Sequence, residues 1–360
     1  MPIISLSGVI GFMPVRAQTP AKIRQLLSKQ AITELLYLHF PRILAVSLAL
    51  LLTLCASAQS YPVSTVKIVV PYAPGGGIDI VARVLAERLQ TKWGHPVIVE
   101  NKMGASTIIG ASAVAKAPPD GHTLLLTSES TITSNPYLFD KLPYDAVRDL
   151  TPVSQLVSLP QMVIAHPSVT AGTMEQLVTL ARVKPNALSY ASYGSGSLPH
   201  LLFEGLKAQS ALQITQVPYK GIMPAVTAVL SGEVQLTLAG VPSSLAHIRA
   251  GKLKALAVAR NERLAEMPLV PTLREAGFAD IDPRETWFGL FVTGGTPSGI
   301  VQKIYRDVAE IAADPAFRER HFVARGFDPV FSTPDAFTKF IQADSRQKEQ
   351  LIRISGAKAE

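Results

Sequence analysis

Apolar positions along this chain alternate between two rhythms. Residues 67–70 are a short β-branched run, which reads as a buried strand. Pro71, Pro74 and Gly75-Gly76-Gly77 end that run, and Ile78, Val81, Leu85 and Leu89 then recur at helical spacing. A strand, a glycine turn and a helix N-terminus therefore follow one another. The first N–H groups of such a helix lack intrahelical partners and point back at the turn. With the helix dipole they suit an anion such as a carboxylate or phosphate, although the same pattern also serves as a plain βα turn. Strand patterns follow at 96–100 and 122–128, with a small apolar helix at 108–117 between them. This alternation predicts a parallel sheet with right-handed crossovers, whose ligands lie beyond the carboxyl ends of the strands.

The pattern changes near residue 150. Residues 153–164 contain two strand-like pieces broken at Ser158-Leu159-Pro160, and 174–182 reads as a helix. A strand at 188–192 runs into Tyr193-Gly194-Ser195-Gly196-Ser197, with a helix over 198–208. That repeats the first strand, glycine turn and helix. Further strands are expected at 213–218, 234–238, 255–259 and 286–292. Helices are expected at 225–230, 300–313, 315–325 and 334–353. The pattern describes two α/β halves, each with a glycine-rich turn at a strand end. Facing halves of this kind form a clamp around a cleft.

The N-terminus changes the picture of charge. Arg42 precedes a continuous apolar run over 43–54, and Ala56-Ser57-Ala58 supplies a small-x-small cleavage pattern before Gln59. The run is too short to span a bilayer and fits a secretory signal peptide with an extended front, residues 1–58. That segment carries five Lys or Arg and one Glu, so its removal lowers the net charge from +7 to +3. Basicity is then a weak argument for nucleic acid. The single cysteine, Cys55, lies in the signal. A lipoprotein reading meets bulky Leu54 where a small residue is preferred. The remaining chain has no thiol for a disulfide or a cysteine metal site. No Gly-x-Gly-x-x-Gly opens the first helix and no P-loop lysine follows a glycine cluster, so no cofactor or metal is expected.

Ten pieces in order resemble one family, the exported substrate-binding proteins of tripartite tricarboxylate transporters, also called Bug proteins. They are VVPYAPGGGIDIVAR at 69–83, VIVENKMGA at 97–105, VAKAPPDGHTLLL at 114–126, LPYDAVRDLTPVSQL at 142–156, SYGSGSLPHL at 192–201, VPYKG at 217–221, LSGEVQLTLAG at 230–240, AGKLKALAV at 250–258, MPLVPTLREAGF at 267–278 and TWFGLFVTGGTP at 286–297. The resemblance implies a two-domain, type II-like periplasmic binding protein. Two Rossmann-like halves would be joined by two crossover strands: 59–156 with 287–360, and 157–286. It implies a monomer that takes a small organic acid to a membrane permease. The ligand would be held largely by backbone N–H groups. Carried over, the site comprises Ala73, Pro74, Gly75, Gly76 and Asp79; Tyr193, Gly194, Ser195, Gly196 and Ser197 with His200 behind them; and Ser128 and Tyr219 along the cleft.

Departures from the family pattern bear on the ligand. Ser106-Thr107 replaces a common glycine pair, and Ala228, Ala239 and Gly240 stand where acidic or amide residues are usual. Tyr193 sits where a small residue is common, and Glu129 is an acid in a loop facing the cleft. The competing readings are a secreted esterase using Ser195, His200 and an acid such as Asp79, and a sensing receptor without a transporter. The esterase lacks the Gly-x-Ser-x-Gly spacing of a nucleophile elbow.

Overall fold

The computed structural model describes residues 61–282 and 285–358. The expected signal peptide, residues 1–58, and Cys55 within it lie outside the described residues. Eleven strands build two sheets among the described residues.

The first sheet begins as the patterning leads one to expect. Strand β1 (Val66–Val70) leads into helix α1 (Gly77–Trp93), then β2 (Val97–Asn101), α2 (Ile108–Ala115) and β3 (Thr123–Ser128). A π-turn at Ser130–Ser134 and a short helix, α3 (Asn135–Leu138), follow. Strand β4 (Leu150–Leu159) then runs to Pro160. Beyond it the second sheet forms from β5 (Gln161–Ala165), α4 (Met174–Val183), β6 (Ser189–Ser192), α5 (Leu198–Ser210), β7 (Thr215–Pro218), α6 (Ile222–Ser231), β8 (Leu236–Gly240), α7 (Val241–Arg249) and β9 (Lys254–Ala259). The chain returns to the first sheet with β10 (Thr286–Thr293), α8 (Ser298–Ala312), α9 (Pro315–His321), β11 (Asp328–Pro329) and α10 (Pro334–Ser355).

The strand orders are β11-β4-β10-β3-β1-β2 and β7-β6-β8-β5-β9. The expectation of parallel sheets needs correction. β1 is parallel to β2 and β3, and β6 to β7 and β8, but β10 is antiparallel to β3 and β4, and β5 to β8 and β9. The crossovers explain it. The carboxyl ends of β1 and β3 form one edge, and β10, returning from the other sheet, enters there and runs the opposite way. Helix α7 is an element the patterning missed. Pro242 reads as a breaker, yet it occupies the first turn, where proline is tolerated.

Both faces of each sheet are covered, so the strands are apolar on both sides. In β1, Val66, Ile68 and Val70 face α1 and α8, whereas Val69 faces the core that holds Trp287 and Phe337. In β5, Val163 and Ala165 pack with α4 and α5, and Met162 and Ile164 with α6. Helix α10 joins both cores: Phe337 packs in the first, edge-on to Trp287, and Leu351 and Ile352 in the second. Trp287 and Phe288 are buried core residues, as their apolar strand suggested.

Candidate functional site

The first glycine turn hangs on the carboxyl end of β1. Gly75 adopts a left-handed φ of 84° and Gly76 an extended φ of −74°, and α1 starts at Gly77. Ala73, Pro74 and Gly75 are exposed and Gly76 is half-buried. Asp79, in the first helical turn, is buried. Its Oδ2 accepts from Gly75 N at 2.9 Å and Arg83 Nε at 2.8 Å, and its Oδ1 accepts from Asn101 Nδ2 at 2.9 Å. The Asn101 amide also donates to the Tyr72 carbonyl at 3.0 Å. Burial pushes the Asp79 carboxyl up. Hydrogen bonds from Arg83, Gly75 N–H and Asn101 outweigh it and hold the group below the usual range.

The second turn repeats the design. Gly194 and Gly196 have φ of 115° and 75°, and Ser197 caps α5 with an extended backbone. Ser197 Oγ donates to the Gly194 carbonyl at 2.6 Å, and Gly196 N donates to His200 Nδ1 at 3.0 Å. Nδ1 is thereby the acceptor of the neutral ring and the proton lies on Nε2. In both turns the side chain four residues ahead takes a glycine N–H: Asp79 takes that of Gly75, and His200 that of Gly196. Tyr193, Gly194 and Ser195 are half-buried, and Gly196 and Ser197 are buried.

Ser128 ends β3 beside the first turn. Its Oγ lies 2.7 Å from the Tyr72 hydroxyl. The next residue, Glu129, is almost fully buried, and burial pushes its carboxyl up to about 7 against the pull of Lys348. Glu129 acts electrostatically on Tyr72 and on Tyr193. Burial first, and then Glu129, push the Tyr72 hydroxyl up to about 12 and the Tyr193 hydroxyl well above the phenol range. These shared effects bring Tyr72, Ser128, Glu129 and Tyr193 together, and the two glycine turns therefore open on common ground. Tyr219 and Lys220 stand apart: the Tyr219 hydroxyl donates to Glu233 Oε1 at 2.9 Å, and Lys220 is exposed.

A buried hydroxyl chain supports this edge. Thr131 Oγ1 lies 2.5 Å from Thr127 Oγ1 and donates to Thr107 Oγ1 at 2.8 Å, and Asn135 Nδ2 donates to the Ser106 carbonyl at 2.8 Å. These bonds hold Ala105, Ser106 and Thr107 at positive φ of 44°, 48° and 76°, conformations that favour glycine. Tyr72 was missed as a site residue although its signal was legible: both glycine turns are preceded directly by a tyrosine. A separate cavity of about 200 Å³ lies where β4 and β10 leave the first sheet, lined by Ser158, Arg260, Glu285, Trp287, Phe340 and Gln347. The Arg260–Glu285 ion pair, 3.2 Å, closes one side of it. Among the described residues no cluster of His, Cys, Asp and Glu could hold a metal ion.

Comparison with known proteins decides the family. Residues 81–356 match the tripartite tricarboxylate transporter family receptor. The chain belongs to that family. Protein BugT of Bordetella pertussis is 35% identical over 303 residues, covering 84% of this chain and 92% of BugT. A Rhodopseudomonas palustris protein solved with adipate is 29% identical with a TM-score of 0.76, covering 84% of this chain and all of its own. MatC from the same organism, solved with bound malate, is 31% identical with a TM-score of 0.73, covering 81% of this chain and all of MatC. This family of receptors has the two-domain fold of periplasmic binding proteins, and its function is solute binding for a transporter.

Proposed function

We propose that this family member is an exported receptor that captures a small carboxylate between its two glycine turns and delivers it to a tripartite tricarboxylate-type permease. The observation that carries the reading is the matched pair of turns. Each hangs on the carboxyl end of a parallel strand and opens into the N-terminus of a helix of 13 or more residues. Each helix offers unpaired N–H groups and the positive end of its dipole, so two such ends suit a ligand with acidic groups. Relatives solved with adipate and malate support an organic acid.

In this reading Ala73, Pro74, Gly75 and Gly76 form one wall of the site and Tyr193 to Ser197 the other. Asp79 and His200 fix the turns rather than touch ligand, because their polar atoms already serve Gly75 and Gly196. Ser128 lines the floor and Tyr219 the rim. The domains are 59–156 with 287–360, and 157–286. They close about Pro160 and the segment between β9 and β10, and the permease reads the closed form. Residues 1–58 act as the export signal, and the receptor works as a monomer without cofactor. It is not an esterase: His200 Nδ1 accepts a backbone N–H, whereas a triad histidine donates from that atom to its acid.

The test is thermal unfolding of the purified protein with a panel of mono-, di- and tricarboxylates. A ligand at 100 times its Kd stabilises the native state by about 2.7 kcal/mol. A rise in Tm with at least one acid is expected. A flat response across the panel would contradict the proposal.

A further inference from the structure

Resting on this receptor reading, a narrower question is what the cleft selects. Tyr72 and Tyr193 hold equivalent places, each the last residue before a glycine turn. Glu129 acts on both and is 2% exposed. Its own hydrogen bonds are long: Ser130 Oγ lies 3.4 Å from Oε1, and Trp287 N lies 3.4 Å from Oε2. The groups that face it are Tyr72 and Tyr193 from the two turns, Trp287 N–H from β10, and Lys348 and Asp344 from α10. Lys348 is paired with Asp344 at 3.3 Å. Asp344 also accepts from Thr133 Oγ1 at 2.6 Å and Trp287 Nε1 at 3.1 Å, so it stays charged and keeps that pair neutral. An ionised Glu129 therefore gives this edge of the cleft a net negative charge in a buried place. A second ligand carboxylate there would meet like charge. An ammonium would meet an acceptor and two tyrosine rings.

We propose that Glu129, flanked by Tyr72 and Tyr193, selects solutes that carry an ammonium group beside their carboxylate. The carboxylate lies on the glycine turns, and the ammonium supplies the cation that Glu129 lacks. Binding at neutral pH drives a proton off Glu129, because the cation favours its ionised form.

Three matched pairs test this by calorimetry: aspartate against succinate, glutamate against glutarate, and 4-aminobutyrate against butyrate. Within each pair the members differ only by the ammonium. At pH 8 the ammonium-bearing member of at least one pair binds about tenfold tighter or better, the scale of one charge-assisted hydrogen bond. The preference shrinks at pH 6, where Glu129 takes a proton. At pH 7 binding releases protons, seen as a heat that varies with buffer ionisation enthalpy. Glu129→Gln removes the preference at pH 8, and the wild-type profile carries the test if that variant does not fold. Equal or tighter binding of the desamino members in every pair, or proton uptake on binding, would overturn the selectivity and leave the carboxylate receptor standing. Silence from these six acids and the whole carboxylate panel would overturn both.

Discussion

Asp79 and Glu129 are two buried carboxyls with opposite electrostatics. Asp79 accepts three hydrogen bonds and sits below the usual carboxylate range. Its stabilising effect is present above the unfolded value of about 3.9 and is lost as pH falls through its lower folded value. Asp79→Ala leaves Gly75 N–H and the Asn101 amide without their acceptor. It should cost about 2–4 kcal/mol in urea unfolding at pH 7, and less below pH 4. Glu129 is raised to about 7, so between an unfolded value near 4.3 and 7 the native state binds the extra proton. Its contribution is therefore lost as pH rises through that window. Glu129→Gln should gain about 1–3 kcal/mol on the wild type between pH 5 and pH 8, in denaturant unfolding without ligand. A difference independent of pH would place the Glu129 carboxyl in water.

The glycine turns show how unevenly an element depends on its glycines. Gly196 has a φ of 75°, and an added Cβ would run into the Leu138 side chain. Gly75 has a φ of 84° but open space around it. Gly196→Ala should therefore cost more stability than Gly75→Ala, roughly 2–3 against 1 kcal/mol in urea unfolding. Gly289 in β10 has no room because the Phe337 ring of α10 lies on it. Gly289→Ala should destabilise, with partial rescue by Phe337→Leu. Strand, turn and helix at 66–93 and again at 189–210 were legible because hydrophobic period and glycine spacing are local signals. The antiparallel β10 was not, because direction depends on where a strand returns from. Neither were the hydrophobic seams of α10, which reach two cores that only the folded chain brings to one helix. Among the site residues, the turn glycines were readable. The burial of Glu129 and its contact with both tyrosines were not, since these arise from residues separated by up to 219 positions along the chain, as Glu129 and Lys348 are.

At the scale of the whole molecule, the two sheets share α10 and two crossovers, so ligand trapped between them should stabilise both cores together. Gly76 offers a clean probe. Its φ of −74° suits any residue, and an added Cβ meets nothing nearer than the Ala73 carbonyl at 3.8 Å. Gly76→Val should therefore fold with a near-native Tm yet bind the best acid of the panel at least about tenfold more weakly, because the methyl groups block close approach to the turn. The most direct measurement is a crystal structure of the protein with that acid. The account requires a carboxylate oxygen about 2.7–3.2 Å from a main-chain N–H at residues 76–78 or at the 193–198 turn. Acid lodged instead in the cavity beside Arg260 and Phe340, with both glycine turns empty, would contradict it.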